Sequence, residues 1–411
     1  MFNRHISSRL LDALADSPVV FLHGARQTGK STLVQHITST KHPARYLTFD
    51  DAAVLAAATA DPAGFLAGID GPVALDEVQR VPELFLAIKA EVDRNRRPGR
   101  YLLTGSANVL MLPKLSESLA GRMEILPLWP LSQGEITDHR EGFIDALFAG
   151  KTIRVGKTPK AHTDLVDRIL RGGYPEAQRR KSSSRRRAWF NSYISAILQR
   201  DIRDLANVEG LSAMPRLLTL LASRVGALLN QAEVSRSLGI PQTTLKRYMA
   251  LLEATFLVQL LPAWSGNLGK RLVRSPKLYL NDTGLAAALV GQTDKSALRQ
   301  SQLLGALAES FIVMELRKQA TWSRTEPSLF HFRTLGGREV DLVLESPSGD
   351  VVGIEVKVSA TVRADDFKGL HALVEEAGKK FRRGVVLYQG RESVPFGKNL
   401  QAVPIDALWQ T

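Results

Sequence analysis

The chain has 411 residues, 44% of them hydrophobic, and a formal charge of +13, a length that at about 100–200 residues per domain predicts two to four domains. It contains no cysteine, which excludes disulfides, thiolate chemistry and cysteine-ligated zinc or iron–sulfur sites and leaves oxygen ligands, suited to Mg²⁺ or Mn²⁺. No stretch approaches the roughly 20 apolar residues of a membrane helix, and Met1 to Asp16 lacks a signal-peptide core, so a soluble, cytoplasmic protein with no membrane partner is expected.

The positive charge is unevenly placed. Residues 1–130 hold 14 Lys/Arg against 13 Asp/Glu, which leaves 40 against 28 for residues 131–411. A basic surface outside the first domain points to nucleic acid, with DNA in the leading reading, although an acidic protein partner suits it too.

In chain order, short β-like runs at Pro18–Leu22, Tyr46–Phe49, Pro72–Leu75, Tyr101–Thr104 and Met123–Leu126 alternate with helical segments. This is the pattern of an α/β parallel sheet flanked by helices, expected over residues 1–135. Directly after the first run, Gly24-Ala25-Arg26-Gln27-Thr28-Gly29-Lys30-Ser31 is a complete G-x-x-x-x-G-K-[ST] phosphate loop that opens a helix at Thr32. Its glycines let backbone N–H groups turn around phosphate oxygens, Lys30 neutralises the terminal phosphates, and Ser31 offers a hydroxyl to Mg²⁺. ATP with Mg²⁺ is the expected cofactor.

The third run ends in Asp76-Glu77. Asp76 is placed to hold Mg²⁺, and Glu77 to orient and deprotonate the attacking water. The fourth run, expected between the phosphate-loop strand and the Asp76 strand, ends in Thr104-Gly105-Ser106, whose hydroxyls are candidates to sense the γ-phosphate. Arg122 starts the fifth strand. It is either an arginine finger for a neighbouring subunit, which requires a homo-oligomer, or a structural ion pair with Glu117 or Glu124.

Residues 136–212 read as a helical linker or lid, interrupted by Gly172-Gly173-Tyr174-Pro175 and by the basic run from Arg179 to Arg187, a solvated linker or a phosphate-contacting patch. Residues 213–264 read as a winged helix-turn-helix. Its helices are Gln231–Leu238 and Gln242–Ala254, with a turn at Gly239-Ile240-Pro241 and a wing strand at Phe256–Leu261. If this unit reads DNA, Gln242, Thr243, Lys246 and Arg247 are the contacts; otherwise it is a lid or interface. Residues 265–300 form a connector with a strand at Lys277–Leu280.

Residues 301–411 start with a helix at Leu303–Lys318 and continue as strand, hairpin, helix and strand. In Glu339–Glu345 and Val351–Val358, alternation sends Val340, Leu342, Leu344, Ile354, Val356 and Val358 to the core and Asp341, Glu355 and Lys357 to the other face. A hairpin centred on Ser348 pairs Asp341 with Glu355. Two like charges so placed, with a lysine beside them, suit a divalent cation that activates water against a phosphodiester, with Lys357 positioning that water. Glu309, on an otherwise apolar helix face with Gly305, Ala306, Val313 and Leu316, is a further candidate ligand. An E-x-K step is also an ordinary ion pair in a strand.

These motifs carry a resemblance. Gly24–Ser31, Asp76-Glu77-Val78-Gln79, Leu103-Thr104-Gly105-Ser106, Ala120-Gly121-Arg122, Gly172–Glu176, Lys277–Gly284 and Gly305–Glu309 resemble bacterial and archaeal AAA-type ATPases with a C-terminal domain of unknown function. The resemblance spans essentially the whole chain. It implies an AAA-like P-loop NTPase core, a winged-helix middle and a C-terminal α/β domain of restriction-endonuclease-like fold. Asp341, Glu355 and Lys357 are similar to the D…E-x-K core of the PD-(D/E)xK nucleases, with Val340 where the strictest pattern has proline. Two functions follow: an ATPase acting on DNA with a metal-dependent nuclease, or a nucleotide-controlled binding switch whose nuclease-like domain is an inactive scaffold.

Overall fold

The computed structural model of the chain describes residues 2–106, 119–150, 152–153, 164–202 and 211–411. Contacts divide it into two compact units. One comprises Arg4–Pro130 with Met249–Leu257; the other comprises Leu131–Tyr248 and Val258–Thr411, with Met1–Asn3. Among the described residues no helix is long and apolar enough to cross a membrane.

The first unit is built on five parallel strands, β1 (Val19–His23), β2 (Arg45–Thr48), β3 (Val73–Asp76), β4 (Tyr101–Gly105) and β5 (Met123–Pro127), in the order β2-β3-β4-β1-β5. Each expected strand is present within a residue or two, and β4 lies between β1 and β3 as expected. The strands were legible because β1, β3 and β4 are buried on both faces and so read as unbroken apolar runs. One face packs Val20, Leu22, Ala74 and Leu102 against Leu33, Val34 and Ile37 of the helix Lys30–Thr40. The opposite face packs Phe21, Leu75 and Leu103 against Phe85 and Ile88 of the helix Leu84–Arg94. The carboxyl ends of β1, β3 and β4 thereby meet at one edge, where ligands bind in open parallel sheets.

The helices Gln231–Leu238, in the second unit, and Gln242–Ala254, whose residues from Met249 on belong to the first, fall on the expected residues. Asn230 caps the first by accepting from the Glu233 N–H, and Gly239, with φ of 67°, stops it in the left-handed conformation. Leu245, Tyr248, Met249 and Leu252 are buried, while Gln242, Thr243, Lys246 and Arg247 are exposed. The following strand β6 (Val258–Leu261) starts two residues later than expected, because Phe256 turns the chain with φ of 62°. It pairs antiparallel with β7 (Lys277–Leu280), the strand expected in the connector.

The C-terminal sheet is six-stranded and mixed. Strands β8 (Ser328–Arg333), β9 (Glu339–Glu345), β10 (Val351–Val356), β11 (Phe381–Tyr388), β12 (Val394–Pro395) and β13 (Leu400–Pro404) run in the order β12-β13-β11-β10-β9-β8. Strand β10 is antiparallel to β9 and parallel to β11. The helix Lys368–Ala377 covers one face through Leu370 and Leu373.

Candidate functional site

The phosphate loop leaves β1 at His23 and enters the helix Lys30–Thr40. Gly24 has φ of 153°, and a Cβ there would stand 2.2 Å from the Leu128 carbonyl oxygen. Glycine is therefore required both by the backbone conformation and by the close approach of the chain beyond β5. Thr28 Oγ1 donates to the Ala25 carbonyl at 2.9 Å and closes the loop. Lys30 is buried, and its ammonium donates to the Gly24 and Ala25 carbonyls at 2.9 and 3.1 Å. Arg26 and Gln27 lie on the outer side of the loop, Gln27 with φ of 61°. No motif points to Arg4, whose guanidinium donates to the Thr28 and Trp129 carbonyls, both at 2.6 Å, and ties the loop to the chain after β5.

Asp76 ends β3 and is buried. It accepts from Tyr46 Oη at 2.6 Å and from Thr104 Oγ1. Burial first and Asp76 second hold the Tyr46 pKa above the usual phenol range. Hydroxyl plus carboxylate is the donor set of Mg²⁺ in P-loop sites. Ser31 and Asp76 would hold that ion. Tyr46 is a neighbour that sequence reading missed, since it lies 30 residues from Asp76 and is joined to it by strand pairing.

Glu77 follows in the left-handed conformation, φ 60° and ψ 44°. A non-glycine residue held there is strained, and such strain gathers at functional sites. Its carboxylate accepts from Gln79 Nε2 at 2.5 Å, and the same amide donates to Ser106 Oγ at 3.1 Å. Of the two hydroxyls expected to sense phosphate, Thr104 is engaged with Asp76 and Ser106 is linked to Glu77 through Gln79. Thr32 is exposed in the first turn of the helix.

Arg122 does not pair with Glu124. Its Nε donates to Asp93, an exposed partner on the helix Leu84–Arg94, and its Nη1 to the Ala120 carbonyl. Glu117, the other expected partner, lies outside the described residues. Sequence spacing favoured near neighbours, whereas the helix on the sheet face brings up an acid 29 residues away.

His23 packs edge-on against Phe256, which also meets Trp129 edge-on. Burial first and the Lys30 ammonium second push its imidazole down to about 4. The group is neutral when folded, and the unfolded chain takes up a proton below about 6.5. Stability is therefore lost as pH falls from about 6.5 towards 4, by roughly 2 kcal/mol at pH 5 from this residue. His331 in the second unit is pushed down to about 4 as well, again chiefly by burial. The unfolding midpoint should therefore drop between pH 7 and pH 5, and His23→Phe should shrink that drop. An unchanged pH profile in the variant would show that His23 is not the titrating group.

The C-terminal carboxylates sit within the second unit. The β9–β10 register pairs Val351 with Glu345, Val352 with Leu344, Gly353 with Val343 and Ile354 with Leu342. One step further, the same register sets Glu355 opposite Asp341, as the hairpin arithmetic expected. Asp341 Oδ2 accepts from the Val356 N–H at 3.0 Å. Glu355 Oε1 accepts from Lys357 Nζ at 3.0 Å, while its buried Oε2 has no hydrogen-bond partner. Glu309 faces the same cluster. Burial first and the Asp341 charge second hold both Glu309 and Glu355 well above the ordinary carboxylate range.

Sequence reading missed the centre of this cluster. Lys277 Nζ, at the start of β7, donates to Glu309 Oε1 at 2.8 Å and Asp341 Oδ1 at 3.2 Å. Tyr279 Oη donates to the same Glu309 oxygen at 2.6 Å. Burial alone would lower the Lys277 pKa, but Glu309 and Asp341 outweigh it and keep the ammonium charged. Among the described residues no three acids or histidines converge as a ready metal site. Glu309, Asp341 and Glu355, expected as ligands, are instead divided between two lysines. Arg333, which could bind phosphate, pairs with Glu339 at 3.5 Å and is exposed.

The five-stranded parallel sheet, the phosphate loop and the Asp76-Glu77 pair define a P-loop ATPase of the AAA type. Residues 16–137 match the AAA domain family, residues 162–296 a domain of unknown function (DUF8612), and residues 304–408 a domain of unknown function (DUF4143). Uncharacterized proteins of Mycobacterium tuberculosis and Mycobacterium bovis are each 35% identical over 411 residues, covering 99% of this chain and 85% of theirs. The chain belongs to the family of these mycobacterial proteins. Among solved structures, it is similar to a Walker-type ATPase of Pyrococcus abyssi, with 14% identity, TM-score 0.44, and coverage of 70% of this chain and 96% of that one. It is also similar to the Thermotoga maritima RuvB Holliday junction branch migration motor, with 17% identity, TM-score 0.29, and coverage of 64% and 90%.

Proposed function

We propose that this AAA-type ATPase is a cytoplasmic DNA-processing enzyme. ATP hydrolysis at Lys30, Asp76 and Glu77 drives a winged-helix part, residues 213–264, that holds DNA through Gln242, Thr243, Lys246 and Arg247. The region 301–411 is a nuclease-like domain of PD-(D/E)xK type. The observation that carries this reading is the β9–β10 register, which ends with Ile354 opposite Leu342 and, continued one step, would set Glu355 opposite Asp341, together with a buried Glu355 oxygen that lacks any donor. An unpaired buried carboxylate oxygen is costly, and a cation is one way to satisfy it. Asp341, Glu355 and Glu309 would hold Mg²⁺ or Mn²⁺, which when bound supplies an activated water. Lys357 would position that water and the phosphodiester. The basic excess in residues 131–411 supports a polyanionic partner, and Arg122 as a finger would require a homo-oligomer.

The test is cleavage of labelled single-stranded, duplex and branched DNA with Mg²⁺ or Mn²⁺, with and without ATP. Native protein should cut, and Asp341→Ala should lose more than the roughly 10–100-fold that removal of an outer-shell partner costs at a metal site. Cleavage that persists in Asp341→Ala sinks the site.

A second reading is a nucleotide-controlled switch with an inactive nuclease-like scaffold. It is favoured by the Lys277 ammonium, which already neutralises two of the three acids. This reading expects ATP-dependent DNA association and no cleavage with any metal.

A further inference from the structure

We propose that Lys277 is a built-in counter-ion that keeps a divalent-cation site at Glu309, Asp341 and Glu355 closed, so that the site opens when β7 carries the ammonium away. The inference rests on the reading of these acids as a cation centre and adds how that centre is controlled.

The four groups come from four separate elements. Glu309 lies on the helix Leu303–Ala320, Asp341 on β9, Glu355 on β10, and Lys277 on β7. An ordinary structural ion pair needs one acid. Here three acids share two lysines, and the oxygens are unequally served. Glu309 Oε1 accepts from both Lys277 and Tyr279, Asp341 is bonded on both oxygens, and Glu355 Oε2 has nothing. The Glu355 residue is only 8% exposed, so water does not readily serve that oxygen. The cluster is therefore one positive partner short on its Glu355 side while Lys277 fills its Glu309 side.

A divalent ion needs several oxygens at once. An ammonium in direct contact with two of the three acids takes up those oxygens and repels an incoming cation at close range. Lys277 is fully withdrawn from solvent, with 4% of its side chain exposed, so it is held as part of the cluster and not as a surface charge.

The mounting of Lys277 makes it separable. Strand β7 pairs with β6, and its backbone is bonded on the other side to Gly226, Ala227 and Leu229. The strands that carry Asp341 and Glu355 belong to the six-stranded sheet, of which β7 is not a member. The β6–β7 sheet is joined to that sheet at the edge strand β8, through the Ala263–His331 bridge, so a shift that withdraws the ammonium strains this bridge while leaving the β9–β10 and β10–β11 pairings intact. Strand β6 follows the helix Gln242–Ala254 after a short turn, and that helix exposes Gln242, Thr243, Lys246 and Arg247, so the residues read as nucleic-acid contacts lie close in sequence to the strand pair that holds the counter-ion.

The experiment is a Mn²⁺ titration of nucleotide-free protein, read by the electron paramagnetic resonance signal of free Mn²⁺, with melting curves in parallel. Native protein, Lys277→Met and Lys277→Met/Glu355→Gln are compared; the nucleotide site is common to all three and cancels. Lys277→Met should bind one additional Mn²⁺ at least about tenfold more tightly than native protein, a factor equal to one unit of pKa-scale electrostatics. Glu355→Gln on that background should abolish the gain. Mn²⁺ should raise the melting midpoint of Lys277→Met and leave that of native protein unmoved. If the variant folds only with a cation present, recovery of its melting transition on adding Mn²⁺ reads the same site. Native protein that binds this Mn²⁺ as tightly as the variant would overturn the counter-ion role and leave the cation centre standing. A variant that takes up no additional Mn²⁺ and gains no stability from it would overturn both.

Discussion

Glu77→Gln is expected to bind ATP as the native chain does and to hydrolyse it about 10²–10⁴-fold more slowly, the usual contribution of a positioned general base. The substitution preserves size and hydrogen bonding but removes the charge that takes a proton from water. Binding rests elsewhere, on the loop amides and on Lys30, whose ammonium is 2.9 Å from the Gly24 carbonyl and free to exchange that neutral partner for a phosphate. Glu77 is also held in a strained backbone conformation with its carboxylate against the Gln79 amide. That amide bonds Ser106 as well, so the carboxylate is linked to the end of β4. Phosphate release and titration of a fluorescent ATP analogue separate the two effects. Unchanged hydrolysis would assign the base to another group.

Gly24→Ala should lose nucleotide binding and stability together. The added methyl would stand 2.2 Å from the Leu128 carbonyl oxygen and 3.1 Å from its carbon, and φ of +153° is itself unfavourable for alanine. The clash is with backbone. Leu128 donates its N–H to the His23 carbonyl at 2.7 Å, and β5 pairs with β1 up to His23 and Pro127, so retreat breaks the ladder beside the loop. The loss should reach the top of the roughly 1–3 kcal/mol range typical of overpacking or pass it. Urea unfolding and ATP-analogue titration check both parts. Native-like binding would mean that the chain after β5 moves aside at little cost.

Much of the fold was legible where the governing physics is local. The phosphate loop is a contiguous motif, and its flanking strands announce themselves as apolar runs because both of their faces are covered. The bounds of the helix Gln231–Leu238 were readable because Asn230 and Gly239 act on their own neighbours, through a cap and a left-handed stop. The pairing of Asp341 with Glu355 followed from alternation and the centre of one tight turn. The C-terminal architecture was less accessible: β11 pairs parallel with β10 and β13 parallel with β11, each after a long connection, and sequence patterning does not set their order.

What failed were contacts between distant segments. Arg122 was weighed against acids near it in sequence, and its partner is Asp93. Tyr46 reads as a strand residue, and its hydroxyl donates to Asp76, 30 residues away. Lys277 was likewise counted only as the first residue of a strand, although its partners lie 32 and 64 residues away. The sequence by itself determined the class of chemistry at the ATPase end and the two facing acids at the other, because each depends on chain neighbours within a loop or a hairpin. Tertiary structure alone decided which charge meets those acids. The Lys277 ammonium meets carboxylates carried by a helix and by a strand of another sheet, and bringing such distant elements together is a property of packing.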